Sequence, residues 1–303
     1  MNTYQHISVN KRRSVVLVAV FIVVLGLLGW LFGYLLEFGY AGVAIALIIA
    51  VVMSLTSFYS GDKIALWTAG AKPIKKDDNP YLYRIVENLT ITAGLPMPKI
   101  FIMDDPALNA FATGRDPQHA SVAFTTGIIE KLENEELEAV AAHELSHIKN
   151  YDIRLLMIVV VLVGSVAMMS HFFLRAQLFG LGGRRNRSGQ AGTILLLIGI
   201  VLAILSPLIA QLIKLSISRR REFLADADAS LLTRYPEGLA SALRKIHINN
   251  RPLRRANPAT AHLFLANPFG TRGKGMTKLF STHPPVEERI KALEQMANMP
   301  SQR

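Results

Sequence analysis

Two long stretches without a charged residue constrain this chain more than any other feature. The first runs from Ser14 to Leu36 and the second from Phe38 to Gly61, with only Glu37 between them. A helix needs about 20 consecutive apolar residues to cross the hydrocarbon core of a bilayer. Both stretches are long enough, and the short gap predicts a transmembrane hairpin with helices at about 14–36 and 38–60.

Two further apolar stretches, at about 155–174 and 193–213, predict a second hydrophobic hairpin within residues 154–214. The connection between them carries four arginines, namely Arg175, Arg184, Arg185 and Arg187. If this hairpin crosses the bilayer fully, these arginines lie outside the cell. Alternatively, the hairpin only dips into the membrane, and both interpretations stay open at this stage.

Basic residues beside the first hairpin predict its orientation, because lysine and arginine accumulate on the cytoplasmic side of membrane helices. They are Lys11, Arg12 and Arg13 before it and Lys63, Lys72, Lys75 and Lys76 after it. The first apolar stretch is also longer than the core of a signal peptide, roughly 7–15 residues. We therefore expect residues 1–61 to be a retained anchor in the plasma or inner membrane, of a multi-pass protein whose polar parts face the cytoplasm.

Composition excludes several classes of protein. The chain of 303 residues is 51% hydrophobic and contains no cysteine, so it is neither a disordered chain, a disulfide scaffold nor a thiol enzyme. Its net charge of +11 could indicate that the protein binds nucleic acid. The basic residues cluster at membrane edges and no aromatic-basic recognition motif accompanies them, which argues against nucleic-acid binding.

The polar stretches 62–153 and 215–303 predict one water-facing domain of helices with a small β-sheet. Tyr81–Thr92 has helical spacing of apolar residues, and Lys99–Met103 and Ser121–Thr125 have strand character. Asn134 is expected to cap a helix that runs to about Asn150. The expected fold class is mainly α with a small β-sheet, in which multi-pass membrane helices accompany this domain.

The segment from His143 to His147 contains the pattern His-Glu-x-x-His inside that helix. Residues four apart lie on one helix face, so both imidazoles can bind one zinc ion. Glu144 then lies next to the metal, where it can take a proton from zinc-bound water. A chance arrangement on a polar helix is the alternative, and a third ligand would argue against it.

Without cysteine, the third ligand has to be His, Asp or Glu. Glu222 and Asp226 follow three arginines with helical spacing. Glu222 can complete a His-His-Glu set that leaves one position open, as in catalytic zinc sites. Asp226 can accept a hydrogen bond from the outer nitrogen of a ligand histidine. An ordinary solvated acidic pair is the alternative reading of these two residues.

Four features taken together resemble the HtpX family of membrane zinc metalloproteases, which are related to the CAAX prenyl proteases. They are His143–His147, Glu222 with Asp226, Asn109-Ala110-Phe111-Ala112, and His283-Pro284-Pro285 followed by Arg289. The resemblance covers most of the chain. It implies a gluzincin-type peptidase domain with one zinc ion and a role in the quality control of membrane proteins under stress.

The resemblance also implies roles for residues outside the zinc motifs. His283 and Arg289 would lie near the reacting carbonyl and stabilise its developing negative charge. Asn109 and Ala110 would belong to a strand against which the substrate polypeptide pairs. A plain turn position is the alternative for His283 and for Asn109.

The expected function is a membrane-anchored zinc endopeptidase that cleaves misfolded or damaged membrane proteins on the cytoplasmic side. Polypeptides and the lipid bilayer are its expected partners. Two alternatives stay open, namely a specific processing protease of the CAAX prenyl-protease type and a membrane scaffold that holds zinc without catalysis.

Overall fold

The computed structural model describes residues 3–35, 40–159, 219–257, 259–270 and 284–298. Its first elements are two long helices, α1 (Thr3–Leu35) and α2 (Tyr40–Ala69), which pack against each other. Within these described ranges, one helix is long and apolar enough to cross a membrane, Val43–Ala69, with a mean hydropathy of 2.2. This helix supports the coarser part of the prediction, that the protein associates with a membrane.

The two faces of α1 differ sharply. Large apolar side chains are exposed on its outer face and on α2, for example Val15 at 69% and Ile48 at 63%. The inner face is buried and carries Asn10, Ser14, Leu17, Phe21 and Leu25. A soluble monomer rarely exposes so continuous an apolar surface. The distribution agrees with the association with a membrane that helix α2 supports.

Helix α2 continues past its apolar part and ends on a β-sheet. Its last turns bury Ala65 and Leu66 against Met103 and Phe111 of the sheet. Gly70 then has a φ of 68°, a left-handed conformation that glycine adopts without strain. The long apolar helix α2 and the sheet therefore share one packed core.

The sheet has four strands in the order β1-β2-β4-β3. They are β1 (Ala71–Pro73), β2 (Lys99–Met103), β3 (Ala110–Gly114) and β4 (Ala120–Thr125). Strands β2 and β4 are parallel, and the other two pairs are antiparallel. Strand β3 therefore lies at one end of the strand order.

Helices cover the sheet and build the main hydrophobic core with it. They are α3 (Pro80–Ala93), α4 (Thr126–Lys131), α5 (Asn134–Lys149), α6 (152–159), α7 (Arg219–Thr233), α8 (Pro236–Ile248) and α9 (Val286–Ala297). Leu145 of α5 is buried among side chains that include Leu82, Phe124 and Leu243. This core holds α5 between the sheet and the helices from the second polar stretch.

The predicted cap of α5 is wrong by one residue. The N-cap is Glu133, not Asn134, and its backbone N–H donates to Glu136 Oε2 at 2.8 Å. A glutamate can replace the usual short polar cap here because the reciprocal bonds of a capping box satisfy the first free N–H groups.

The second hydrophobic hairpin is described only at its start, because residues 160–218 lie outside the described residues. Tyr151, with a φ of 59°, separates α5 from α6. In α6, Leu155, Met157 and Val159 are buried within the protein. The third apolar stretch thus begins inside the fold, and the membrane placement predicted for 155–174 and 193–213 stays a prediction.

Candidate metal centre

Helices α5 and α7 bring three donor side chains together. His143 and His147 are one turn apart in α5, and their Nε2 atoms are 3.2 Å from each other. Glu222 of α7 places Oε2 at 3.8 Å from His143 Nε2 and Oε1 at 3.7 Å from His147 Nε2. Nitrogen and oxygen ligands bind zinc at about 2.0–2.1 Å in a tetrahedron, so two ligand atoms are roughly 3.3 Å apart. The observed spacing fits one zinc ion.

The outer nitrogen of each histidine has a carboxylate partner. His143 Nδ1 lies 3.0 Å from Asp226 Oδ1, and His147 Nδ1 lies 3.0 Å from Asp152 Oδ2. When both Nδ1 atoms carry the donated hydrogen, both Nε2 lone pairs face each other. A cation between the two Nε2 atoms removes their repulsion, and the chemistry of the donor set therefore fits a metal ion.

The two histidines differ in pKa because of their surroundings. Burial lowers the pKa of His143 to about 4, assisted by the positive charge of Arg289 and opposed by the hydrogen bond to Asp226. Burial also acts to lower the pKa of His147, but its hydrogen bond to Asp152 and the charge of Glu222 prevail and raise it to about 9. The surroundings therefore favour the neutral form of His143 and the charged form of His147.

Charge balance around the ligands also fits a divalent cation. The described residues bury four carboxylates here, those of Glu144, Asp152, Glu222 and Asp226. Among the residues that the structure describes, Arg221 and Arg289 oppose them with buried guanidinium groups. Buried carboxylate charge is costly unless a cation compensates it, and a metal ion between the ligands would supply such compensation.

Glu144 follows the first ligand in α5 and is 2% exposed. Its negative charge contributes to the raised pKa of His147 and, more weakly than Asp226, to that of Arg289. The carboxylate thus acts electrostatically on His147, and its predicted role as the acceptor of a proton from water stays a prediction.

Arg289 of α9 lies deep in the site and is 1% exposed. Two of its nitrogens bind the carboxylate of Asp226, at 2.6 and 2.8 Å. Burial opposes ionisation of Asp226, yet the charge and hydrogen bonds of Arg289 lower its pKa. Arg289 therefore contacts the carboxylate that meets His143 Nδ1, and the predicted roles of Asp226 beside a ligand histidine and of Arg289 beside the reacting carbonyl stay predictions.

Asn109 and Ala110 open the edge strand β3 and contact a segment from the second polar stretch. Asn109 Nδ2 donates to Ala266 O at 2.9 Å, and Ala266 N donates to Asn109 Oδ1 at 3.1 Å. Ala110 O accepts from Leu265 N at 2.9 Å. The two residues therefore fix the segment around Leu265 along β3, and their predicted contact with substrate stays a prediction.

His283 and Asp152 differ in what the structure says about them. His283 lies outside the described residues, so its predicted role is unchanged. Asp152, in contrast, is a partner of His147 that sequence reasoning missed. The signal was its place in the short polar segment Asn150-Tyr151-Asp152, between the motif helix and the third apolar stretch.

The fold and the site define a zinc metallopeptidase, and the comparisons with known proteins agree. Residues 76–297 match peptidase family M48. The "Protease HtpX homolog" of Tropheryma whipplei (strain Twist) is 46% identical over 295 residues, 97% of this chain and 99% of that protein. The protein of the same name from Caldanaerobacter subterraneus is 42% identical and covers 97% of both chains. This chain belongs to the HtpX proteases of peptidase family M48, and it is a zinc metalloprotease.

A solved structure supports the fold. The crystal structure of S. mikatae Ste24p matches with a TM-score of 0.51 and 19% sequence identity. The match covers 95% of this chain and 66% of Ste24p. At this identity the likeness concerns the fold alone, and it agrees with the mainly helical architecture expected from the sequence.

Proposed function

We propose that this protein is a membrane-anchored endopeptidase that cleaves misfolded or damaged membrane proteins at the cytoplasmic face. The observation that carries the proposal is the continuity between α2 and the peptidase core. Ala65 and Leu66 at the end of α2 are buried with Phe111 of strand β3, next to the residues expected to receive substrate. A substrate held in the bilayer would therefore reach a site close to the membrane helices.

The residues proposed to hold zinc are His143, His147 and Glu222, with Asp226 and Asp152 fixing the two imidazoles. Three protein ligands leave a fourth position for chemistry. Zinc supplies a Lewis acid that polarises the carbonyl of the scissile peptide bond. Asp226 acts as a positioning residue, because it accepts the Nδ1 hydrogen of His143 and so directs the Nε2 lone pair at the metal.

Glu144 is the proposed general base. Its carboxylate accepts a proton from the attacking water and passes it to the leaving amine. The position of Glu144 beside His143 in α5 and its effect on the pKa of His147 support this assignment. His283 and Arg289 complete the proposal as groups that face the negative charge on the carbonyl oxygen.

The substrate is proposed to pair in extended form along strand β3, which Asn109 and Ala110 open, at positions after Ala110, because Ala110 O already accepts from Leu265 N. The support is that β3 is the terminal strand of the sheet. Backbone pairing recognises shape and not side chains, so it allows many sequences. The segment around Leu265, which binds both residues, then forms one wall of the cleft.

The test of the mechanism is the substitution Glu144→Gln in the full chain, purified in detergent. Removing a general base lowers the rate by about 10²–10⁴-fold. We expect zinc content to remain at one ion per chain while cleavage of an unfolded polypeptide is lost. Glu138→Gln on the same helix is the matched control and should cleave like wild type. Full activity of Glu144→Gln would falsify the mechanism.

Mass spectrometry of membranes containing wild type or Glu144→Gln tests the substrate class. Many cuts in damaged membrane proteins support quality control. One defined cut supports a specific processing protease, and zinc without any cleavage supports a scaffold.

The proposed orientation has its own test, since the chain contains no cysteine. Single substitutions Lys76→Cys and Tyr40→Cys would place one thiol in the polar domain and one at the far end of α2. A membrane-impermeant maleimide added outside intact cells should label Tyr40→Cys and spare Lys76→Cys. The reverse pattern contradicts a cytoplasmic site.

A further inference from the structure

Helix α1 approaches the metal centre with the buried amide of Asn10. Asn10 is 3% exposed and lies one turn before the apolar stretch that begins at Ser14. Its Nδ2 donates to Asp152 Oδ1 at 2.7 Å and to Asn150 O at 3.0 Å. Both hydrogens of the amide are therefore used on the turn between α5 and α6.

The bond to Asp152 continues to a proposed metal ligand. The second oxygen of Asp152, Oδ2, lies 3.0 Å from His147 Nδ1. A carboxylate held at one oxygen cannot rotate freely, so Asn10 determines how the other oxygen meets the imidazole. We infer that Asn10 is a positioning residue for zinc ligation, through which the membrane anchor completes the metal site of the peptidase domain.

The turn before Asp152 has a strained backbone, and a second residue of α1 contacts it. Tyr151 has a φ of 59°, which is uncommon for a residue with a large side chain. Such a conformation persists where surrounding contacts determine it. Lys11, next to Asn10, places its ammonium 4.3 Å from the centre of the Tyr151 ring. Two consecutive residues of α1 thus bind three consecutive residues of the turn.

The same oxygen of Asp152 that binds Asn10 faces the helix of the third ligand. Arg221 Nε lies 3.6 Å from Asp152 Oδ1 and directly precedes Glu222. The carboxylate of Asp152 therefore links α1 to both helices of the ligand set. Correct packing of the first membrane helix would tighten zinc binding, and its displacement would loosen it.

The experiment measures zinc affinity of the full chain in detergent, by competition with a chelating dye. Outer partners of metal-bound histidines typically contribute 10- to 100-fold in affinity. We expect Asn10→Ala and Asp152→Asn each to weaken zinc by about 10-fold or more. The double variant should lose less zinc affinity than the product of the two single fold-losses, because both substitutions act through the carboxylate of Asp152.

Ser14→Ala is the matched control. Ser14 is buried one turn further along the same face of α1, and its hydroxyl donates to Asn10 O within the helix. The zinc affinity of Ser14→Ala should equal that of wild type. The d–d absorption of the cobalt-substituted protein gives a second readout, which should change in Asn10→Ala and stay unchanged in Ser14→Ala.

The inference rests on the metal role proposed for His147, and the outcomes separate the two. If wild type and His147→Ala bind zinc equally, the proposed ligand set is wrong. If His147→Ala loses zinc while Asn10→Ala matches wild type in affinity and cobalt spectrum, only the role of Asn10 is wrong. Asn10→Asp keeps the shape and removes the donor, and it replaces Asn10→Ala if that variant does not purify.

Discussion

Arg289 binds Asp226 with two hydrogen bonds, from Nε to Oδ2 at 2.8 Å and from Nη2 to Oδ1 at 2.6 Å. The same Oδ1 lies 3.0 Å from His143 Nδ1. Arg289 Nη1 is also 3.6 Å from Glu222 Oε2. A residue of α9 therefore contacts the proposed third ligand and the partner of the first, so the helix packing determines the geometry of the ligand set.

Asp226→Asn should weaken zinc binding by about 10- to 100-fold, because an amide is a poorer acceptor for His143 Nδ1 and a poorer partner for Arg289. Competition with a chelating dye measures the change. Ser230→Ala is the matched control, since its hydroxyl is buried in the same helix and donates to Asp226 O in the backbone, away from the carboxylate. Unchanged affinity of Asp226→Asn contradicts the positioning role.

Arg289→Ala should destabilise the metal-free protein by about 3–5 kcal/mol, because it leaves the carboxylate of Asp226 buried without its cation. The loss is measured as a fall in the thermal midpoint in detergent, with a chelator present. Lys291→Ala changes an exposed residue two positions along α9 and should leave the midpoint within experimental error. Equal midpoints for the two variants would show that the pair contributes little.

Much of the site was predictable because helical spacing converts sequence directly into geometry. The turn of α5 puts His143 and His147 on one face, and the missing cysteines direct attention to Glu222. Helix α3 and strand β2 could also be predicted from the sequence. Gly94 ends the helix with a φ of 65°, and β2 occupies the predicted range Lys99–Met103. These features depend on residues close together in the chain.

The contacts that sequence reasoning missed join distant parts of the chain. Asn10 and Asp152 are separated by 142 positions, and neither belongs to a recognisable pattern. Strand β1 has only three residues, Ala71–Pro73, too few for a periodic signal. From the sequence, Asn109 was expected to contact substrate or to occupy a turn. Its side-chain amide binds Ala266, which is 157 positions away. Such pairings follow from tertiary packing and not from local sequence.

Asn109→Ala should lower the stability of the protein by about 1–3 kcal/mol, because the N–H and C=O of Ala266 lose their partners in a largely buried place. Thermal unfolding measures this loss. Asn134→Ala, at an exposed position of α5, is the control and should have no effect. If Asn109→Ala unfolds like wild type but raises KM, the residue contacts substrate and its bonds to Ala266 contribute little.

The start of the motif helix contains a carboxylate whose stabilising effect depends on pH. Glu136 accepts hydrogen bonds from Lys245 Nζ at 2.7 Å and Ser241 Oγ at 2.6 Å, which join α5 to α8. Burial opposes ionisation, but these bonds and the charge of Lys245 lower the pKa of Glu136 below its usual value.

The sign of the effect follows from linkage. Because the folded pKa is below the unfolded value of about 4.3, the stabilisation is fully present above that pH. It is lost as the pH falls through the lower, folded pKa. Glu136→Gln should therefore unfold at a lower temperature than wild type near neutral pH, and the gap should close in acid.

Thermal unfolding with a chelator present measures this gap for pairs of samples at the same pH. Comparing two chains at each pH cancels the titration of the carboxylates around the metal site. Glu135→Gln is the matched control, because Glu135 is the exposed neighbour in the same turn. A gap between Glu136→Gln and wild type that is constant down to acidic pH contradicts the role of the ionised carboxylate. A gap that narrows for Glu136→Gln and is absent for Glu135→Gln shows that this charge holds α5, and with it the zinc ligands, against α8.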